Sequence, residues 1–292
     1  MYKDFYNLHE NPFSVTADPA FFFSSSRHSE AFSNLVYGIK ERKGILVITG
    51  EIGTGKTTLC RTLLGQLGTD VKTALILNPY FSEVQLLQLI VRDLGIPETT
   101  KSKLDLINAL NQFLCDQTMQ GHNVVLIIDE VQHLNVRQLE QVRLLSNLET
   151  EKNKLLQIIL VGQPEFLDKL KLPSLRQLNQ RIAVRYHILP LDKSEIKEYI
   201  QHRLKIASRA PHSQLPVTFS DGAIQSIYLF TKGTPRLINI LCDRALLAGY
   251  VSESHTIDEQ LIFKCARELT QLVPTSSALG GANDFETSSL PG

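Results

Sequence analysis

The chain has 292 residues, 43% of them hydrophobic and 21% charged, which is the profile of an ordinary globular protein. Thirty basic residues balance thirty acidic ones, which argues against binding to nucleic acid or an anionic membrane by bulk charge, although a local basic patch is compatible with that balance. Apolar runs of about five residues at most exclude a membrane-spanning helix of ~20 residues, and the N-terminus lacks the apolar segment of a secretory signal.

The first segment of the chain is rich in aromatic residues. Residues 1–37 contain six of the thirteen phenylalanines and three of the eight tyrosines, and the sequence has no tryptophan. Large aromatic side chains gain much free energy on burial. We therefore predict that residues 1–40 form a segment that packs on the domain that follows it.

Buried strands are predicted by four short runs of consecutive apolar residues, at 45–48, 74–77, 124–128 and 158–161. A fifth run, 183–189, alternates more and predicts an edge strand. Apolar residues recur at helical spacing in 83–94, 103–118 and 136–149. Alternating strands and helices predict a three-layer α/β/α domain with a parallel sheet over residues 41–190.

The pattern changes near residue 190, after which no further buried strand is predicted. Helices are predicted at 192–208, from Ser220 or Asp221 to Phe230, from Pro235 onward and at 258–271. Residues 191–271 therefore form a small all-α domain. Residues 272–292 are polar and contain no lysine or arginine, so we predict a disordered tail or linker.

A phosphate-binding pattern, GxxxxGK[ST], directly follows the first predicted strand and opens a helix. Glycine permits the backbone conformations with which amide N–H groups surround a polyphosphate. The lysine reaches the β- and γ-phosphates, and the hydroxyl that follows it can coordinate Mg²⁺. The predicted nucleotide-binding residues are Gly50, Glu51, Ile52, Gly53, Thr54, Gly55, Lys56, Thr57 and Thr58.

Polar residues end two other predicted strands. Asp129 is placed to hold Mg²⁺ together with Thr57, and Glu130 is a candidate general base for an attacking water. Gln163 is a candidate for orienting that water. The simpler alternatives are acids that merely end a strand in solvent and an ordinary turn glutamine.

Four cysteines, Cys60, Cys115, Cys242 and Cys265, are far apart and form no CxxC pair. We interpret them as reduced thiols rather than as a metal site or a disulfide framework.

Together these motifs resemble the AAA+ P-loop ATPases, and among them the general secretion pathway protein A type with its pilus-biogenesis and exopolysaccharide-export relatives. The resemblance covers about residues 1–270. It is carried by residues 1–6, 11–13, 18–23, 28–31, 37–39, 50–57, 129–130, 145–149, 161–165, 180–182 and 233–239. It implies Mg²⁺-dependent hydrolysis of ATP to ADP and a helical lid over the nucleotide.

The resemblance also implies roles for two arginines. Arg236 is similar to a lid arginine that contacts the γ-phosphate in such enzymes. Arg181 resembles an arginine finger that completes a neighbouring subunit's site, with Arg176 and Arg185 as competitors, which would make the protein a homo-oligomer. In similar ATPases the segment before the first strand helps to enclose adenine, so we expect Pro12, Phe13 and some of residues 21–23 in the base pocket.

The leading functional hypothesis is an ATP-driven assembly motor or switch for a bacterial envelope apparatus, with a protein partner in that apparatus. Proteins of the secretion type continue into a membrane-spanning helix and a periplasmic domain. The sequence in hand ends in a polar tail, either because this relative lacks those parts or because the sequence stops before them. We expect a cytoplasmic location, peripheral at the inner membrane through partners. One alternative is a DNA-associated ATPase, for which residues 176–187 and 197–209 supply basic side chains. Another is a nucleotide-dependent switch with negligible turnover.

Overall fold

The computed structural model describes residues 1–77, 81–97, 102–151, 153–210 and 215–272. Of the tail predicted at 272–292, Leu272 is the last residue of a helix, and residues 273–292 lie outside these ranges. All four cysteines lie within them and none forms a disulfide. Over the same residues, no helix combines the length and the apolar character needed to cross a membrane.

A five-stranded parallel sheet forms the centre of the described α/β domain, in the order β2-β3-β4-β1-β5. Its strands are β1 Ile45–Gly50, β2 Val71–Ile76, β3 Asn123–Ile128, β4 Gln157–Gly162 and β5 Ile182–Ile188. The central strands β1 and β4 are buried at every position, because helices cover both faces of the sheet. The predicted parallel α/β fold is confirmed, with β5 at an edge.

Helices on either side of the sheet complete the three layers. One face is packed by α2 and α3, and the other by α4 to α8. In chain order, the first eight helices are α1 Tyr2–Phe5, α2 Ser26–Lys40, α3 Lys56–Gln66, α4 Glu83–Asp93, α5 Lys103–Met119, α6 Val136–Leu145, α7 Glu165–Lys169 and α8 Arg176–Gln180. The helix predicted at 136–149 ends early, because the chain turns at Ser146, whose hydroxyl donates to the carbonyl of Arg143.

The C-terminal domain consists mainly of α9 Lys193–Ala207, α10 Asp221–Thr231, α11 Pro235–Val251 and α12 Glu259–Leu272. Asp192 and Glu195 form the predicted capping box at the start of α9. Two short strands that the sequence analysis did not predict, β6 Thr218–Phe219 and β7 Thr256–Ile257, pair in parallel. Each has only two residues, so neither shows the periodicity of a longer strand.

The N-terminal segment divides between the two domains. Tyr6, Leu8 and Phe13 are buried in the apolar core of the helical domain, and the Tyr2 hydroxyl donates to Asp243 on α11. The α2 helix packs instead on the sheet. The prediction that residues 1–40 pack on the α/β domain thus agrees with the position of α2. Residues 1–13 pack instead in the core of the helical domain.

Candidate nucleotide-binding site

A cavity of about 250 Å³ lies at the carboxyl edge of the sheet, between the two domains. Its walls are formed by a strap at residues 15–17 and 21–23, by the glycine-rich loop and the start of α3, and by the helical domain. His28 and two residues at the ends of β3 and β4, Glu130 and Gln163, complete the lining. The helical domain contributes Leu191, Tyr199, Arg203, Pro235, Arg236 and Asn239. The cavity thus closes over the phosphate-binding motif.

The glycine-rich loop has the backbone that the motif predicts. Gly53 and Gly55 have φ angles of 79° and 94°, in the left-handed region where a side chain is unfavourable. Gly50 ends β1, where a Cβ would lie 2.7 Å from the carbonyl oxygen of Ile188. Because α3 begins directly after Gly55, its N-terminal amides and the positive end of its dipole face the cavity.

Lys56 is buried at the base of this loop. Its Nζ donates to the carbonyl oxygens of Gly50, at 2.8 Å, and Glu51, at 2.9 Å. Burial lowers the pKa of Lys56, while the nearby carboxylates of Glu130 and Asp129 oppose that shift. The ammonium is therefore held inside the loop, where an anion would be its natural counter-charge.

His28 supports the loop from behind. Its Nε2 lies 2.9 Å from the carbonyl oxygen of Thr54, and its Nδ1 lies 2.7 Å from the Ser25 hydroxyl. Burial lowers the pKa of His28, which favours the neutral imidazole. The neutral ring satisfies both contacts when Nε2–H donates to Thr54 and Nδ1 accepts from Ser25.

Thr57 and Asp129 meet beside Lys56. The Thr57 hydroxyl donates to Oδ2 of Asp129 at 2.6 Å, and the Asp129 side chain is almost fully buried. Burial raises the pKa of Asp129, against the opposing effect of hydrogen bonds from Thr57 and from the Glu130 amide. A hydroxyl beside a carboxylate at the rim of a phosphate loop fits Mg²⁺, which prefers hard oxygen ligands.

Glu130 and Gln163 line the same cavity from the ends of β3 and β4. The Glu130 backbone has φ 54° and its amide donates to Oδ1 of Asp129 at 2.8 Å. Gln163 Nε2 donates to Oε2 of Glu130 at 3.3 Å. The structure thus brings the predicted base and the predicted water-orienting residue into contact.

Arg236 enters the cavity wall from the first turn of α11. Its amide donates to the Gly53 carbonyl oxygen at 3.1 Å, which ties the helical domain to the glycine-rich loop. Its guanidinium is exposed and has no hydrogen bond or ion pair with any residue that the structure describes. This cation is therefore available to a ligand in the cavity.

Arg181 lies at the opposite edge of the sheet. It precedes Ile182, which pairs with Ile45 at the amino end of β1, whereas the glycine-rich loop follows the carboxyl end. Its Nη1 donates to the Ser146 hydroxyl at 3.4 Å. Arg181 cannot serve the site of its own chain, so the predicted role requires a second copy.

The two competitors of Arg181 differ in their surroundings. Arg185 donates to the carbonyl and side-chain oxygens of Asn179, while Arg176 is exposed at the start of α8.

The residues expected in the base pocket differ in where the structure places them. Residues 21–23 line the cavity, but Phe13 does not: its ring lies in the core of the helical domain, 6.3 Å from the Phe219 ring. Pro12 is also outside the wall, and its carbonyl accepts a hydrogen bond from Arg203. Of the nine aromatic residues in 1–37, Tyr6, Phe13 and Phe21 are buried and Tyr37 is exposed, and the sequence pattern could not tell which domain would receive each ring.

Three residues near the cavity were not singled out from the sequence. His28 holds the loop, Arg203 lies over the Phe21 ring of the strap at 4.7 Å, and Gln132 donates to the Glu130 carboxylate. The sequence offered one local indication of these three contacts, which is that Gln132 lies two residues after Glu130. The contacts of His28 and Arg203 join residues far apart in the sequence, so only the folded structure shows them.

The sheet order, the glycine-rich loop and the acids at the end of β3 define a P-loop ATPase fold of the AAA class. Residues 39–170 match the family described as AAA domain. The chain is similar to General secretion pathway protein A of Aeromonas hydrophila, with 43% identity over 258 residues. That match covers 88% of this chain but 46% of the relative, so the chain spans about half of that protein's length.

Solved structures share the fold at low sequence identity. The Aeropyrum pernix ORC2 protein, in its ADPNP–ADP complexes, has a TM-score of 0.62 and 16% identity, covering 88% of this chain and 69% of that one. The Thermotoga maritima RuvB Holliday junction branch migration motor has a TM-score of 0.53 and 20% identity, covering 83% and 68%. At such identities the likeness concerns the fold alone.

Proposed function

We propose that this protein binds ATP with Mg²⁺ in the cavity and hydrolyses it to ADP and phosphate. The observation that carries the proposal is the convergence of Lys56, Thr57, Glu130, Gln163 and Arg236 on one cavity. These side chains come from the loop after β1, the ends of β3 and β4, and the helical domain. Each supplies a group that phosphoryl transfer to water needs.

Phosphate binding is supported by the loop. The left-handed glycines leave its amide N–H groups free of side-chain obstruction, and α3 adds its N-terminal amides. The Lys56 ammonium supplies charge-assisted hydrogen bonds to phosphate oxygens in place of its carbonyl contacts.

Thr57 and Asp129 would hold the metal ion. When bound there, Mg²⁺ neutralises charge on the β- and γ-phosphates. The hydrogen bond between the two side chains shows that their oxygens already lie together. The Asp129 carboxylate is further oriented by the Glu130 amide, so little reorganisation is required.

Glu130 accepts the proton of the attacking water, and the Gln163 amide orients that water. These two roles are supported by the fact that both side chains line the cavity and contact each other. Arg236 then stabilises negative charge that develops on the γ-phosphate, because its guanidinium faces the cavity without a protein counter-charge.

Arg181 acts in a second subunit. Its place at the amino edge of the sheet excludes a role in its own site, and an arginine supplied in trans stabilises transition-state charge in related chemistry. The active form is therefore a homo-oligomer in which each copy completes its neighbour's site.

The similarity to General secretion pathway protein A supports a role in a bacterial envelope apparatus for secretion, pilus assembly or polysaccharide export. In this role ATP binding drives assembly and hydrolysis resets it, on the cytoplasmic side and at the inner membrane through a protein partner. A DNA-associated role is supported only by the basic side chains of residues 176–187 and 197–209 and by a shared fold. The presence of Glu130 and Gln163 in the cavity counts against a switch without turnover.

The decisive experiment measures ATP binding and phosphate release from Mg-ATP for the wild-type protein and three variants. Lys56→Ala should abolish nucleotide binding, and Glu130→Gln should bind ATP but release phosphate at least about 100-fold more slowly. Glu165→Gln changes an exposed carboxylate near the site and should behave as wild type. Absence of turnover in the wild-type protein at all concentrations, or full turnover in Glu130→Gln, would contradict the proposal.

A further inference from the structure

We propose that Gln132 is a positioning residue that sets the orientation of the Glu130 carboxylate for water activation. The inference rests on the proposed hydrolysis of ATP and adds a residue to its machinery. Gln132 is not part of the cavity wall, so it acts through Glu130 rather than on the nucleotide.

The backbone folds Gln132 back over its neighbour. Glu130 adopts a left-handed conformation with φ 54°, an uncommon state for a residue with a Cβ. A single 3₁₀ turn, Val131–His133, follows at once. This reversal returns the Gln132 side chain to the carboxylate two residues earlier, instead of directing it away along the chain.

Both the nitrogen and the oxygen of the Gln132 side-chain amide form hydrogen bonds. Its Nε2 donates to Oε2 of Glu130, and its Oε1 accepts from the backbone N–H of Gln163 at 3.1 Å. A flipped amide would place like groups together at both contacts, so the network defines the orientation of the side chain. The end of β3 is thereby joined to the end of β4 through one glutamine.

Both amide donors bind the same carboxylate oxygen. Gln132 and Gln163 each donate to Oε2 of Glu130. Oε1 of Glu130 has no hydrogen-bond partner among the residues that the structure describes. Gln132 approaches Oε2 from outside the cavity wall and Gln163 approaches it from within the wall, which leaves Oε1 for water.

Two further contacts fix Gln132 itself. Lys169 Nζ donates to the backbone carbonyl oxygens of Gln132, at 2.6 Å, and Leu134, at 2.8 Å, which pins the turn. The space for the side chain depends on Gly162, where a Cβ would lie 2.8 Å from Oε1 of Gln132. Gln132 is thus fixed by hydrogen bonds to its backbone carbonyl and by those of its side-chain amide. The missing side chain of Gly162 leaves the room that the amide occupies.

Removing the Gln132 amide leaves the Glu130 carboxylate with the longer bond from Gln163 and with His133 Nε2, which lies 4.0 Å from Oε2. A base that samples several orientations spends less time aligned with water, so the catalytic rate falls. Nucleotide affinity should not change, because the cavity residues that hydrogen-bond to Gln132 among those the structure describes are Glu130 and Gln163, which the proposal places at the attacking water rather than on the nucleotide.

The test compares Gln132→Met, Gln132→Glu and Gln177→Met by steady-state phosphate release and by equilibrium ADP binding. Gln132→Met keeps the length of the side chain but removes both hydrogen bonds, and its kcat should fall about 10- to 100-fold with KM within about twofold of wild type. Gln132→Glu should lose more, because it removes the donor and adds a negative charge next to Glu130. Gln177→Met, at an exposed site on α8, should match wild type.

A second variant, Gly162→Ala, tests the same network with Gln132 in place. Its Cβ would displace Oε1 of Gln132, so kcat should fall while ADP binding is kept. A purely structural role for Gln132 predicts instead a lowered melting temperature and weaker ADP binding in proportion to the loss of kcat.

The outcomes separate the two proposals. If wild-type protein releases no phosphate, both fall. If it does, and Gln132→Met retains or exceeds the wild-type kcat, the positioning role alone is overturned. Equal losses in Gln132→Met and Gln132→Glu, accompanied by loss of ADP binding, would also overturn it.

Discussion

The backbone amide of Arg236 donates a 3.1 Å hydrogen bond to the carbonyl oxygen of Gly53, which joins the first turn of α11 to the middle of the glycine-rich loop. A Cβ built on Gly53 would lie 2.5 Å from Cβ of Arg236. The helical domain therefore approaches the phosphate loop as closely as a glycine permits. The position of Arg236 and the conformation of the loop depend on each other.

Substitution of Gly53 by alanine should separate the two domains at this point. The new methyl group would clash with Arg236, and the φ of 79° is unfavourable for alanine, so ATP affinity should fall by at least about 10-fold. Calorimetric titration with ATP measures this change. Gly65→Ala is the matched control: it lies on α3 with open space around it, and should leave affinity unchanged while stabilising the protein by about 0.5–1 kcal/mol.

Replacement of Arg236 by alanine should distinguish the γ-phosphate from the rest of the nucleotide. We expect kcat to fall about 100-fold because a cation facing the developing charge is lost. ADP affinity should change less than about threefold, since ADP lacks the group that Arg236 contacts. Arg137→Ala, an exposed arginine on α6, serves as the control. Parallel losses of ADP and ATP affinity would assign Arg236 to another part of the nucleotide.

Arg181 is tested by mixing two inactive variants. Arg181→Ala retains Glu130, and Glu130→Gln retains Arg181, so a mixed oligomer contains some interfaces with both groups intact. Phosphate release should be low for each variant alone and should recover on mixing. Arg176→Ala and Arg185→Ala, tested in the same way, identify the arginine that complements. Full activity of Arg181→Ala alone would remove it from the mechanism.

The buried His28 predicts a pH dependence of stability. Its folded-state pKa is lowered by burial relative to the unfolded value of about 6.5, so the unfolded chain binds a proton more readily. The stabilisation is complete above about pH 6.5 and is lost as pH falls through the lower folded-state pKa. Melting temperatures between about pH 7.5 and about pH 5 should therefore fall more steeply for wild type than for His28→Gln.

The comparison with His28→Gln is needed because burial also lowers the pKa of His202, which titrates in the same direction in both proteins. Glutamine can still donate to the Thr54 carbonyl but does not titrate. If the two curves run in parallel over this range, His28 does not supply the pH dependence.

The strands and the phosphate loop were predictable because local sequence determines them. Runs such as 124–128 are apolar throughout, and only a strand covered on both faces buries every side chain of such a run. The glycine spacing of the loop likewise reflects backbone conformations that no other residue adopts easily. Local patterns therefore gave the fold and the proposed phosphate site.

Contacts between distant segments were not predictable in the same way. Phe13 and Phe21 both pack in the core of the helical domain, yet Phe21 also lines the cavity with residues 22 and 23 whereas Phe13 does not. The difference depends on where Arg203, almost 200 residues later, holds the Pro12 and Ser14 carbonyls. Gln132 was overlooked for a related reason, because a left-handed turn at Glu130 reverses the direction of its side chain.

The burial of residues 1–13 in the helical domain means that this domain is built from both ends of the described chain. A fragment starting at residue 39, where the AAA match begins, would leave empty the places that Tyr6, Leu8 and Phe13 occupy. Each such side chain contributes about 1.5–3 kcal/mol through burial, and its loss would expose apolar surface to water. Such a fragment would keep the complete glycine-rich loop yet would tend to aggregate through its lid.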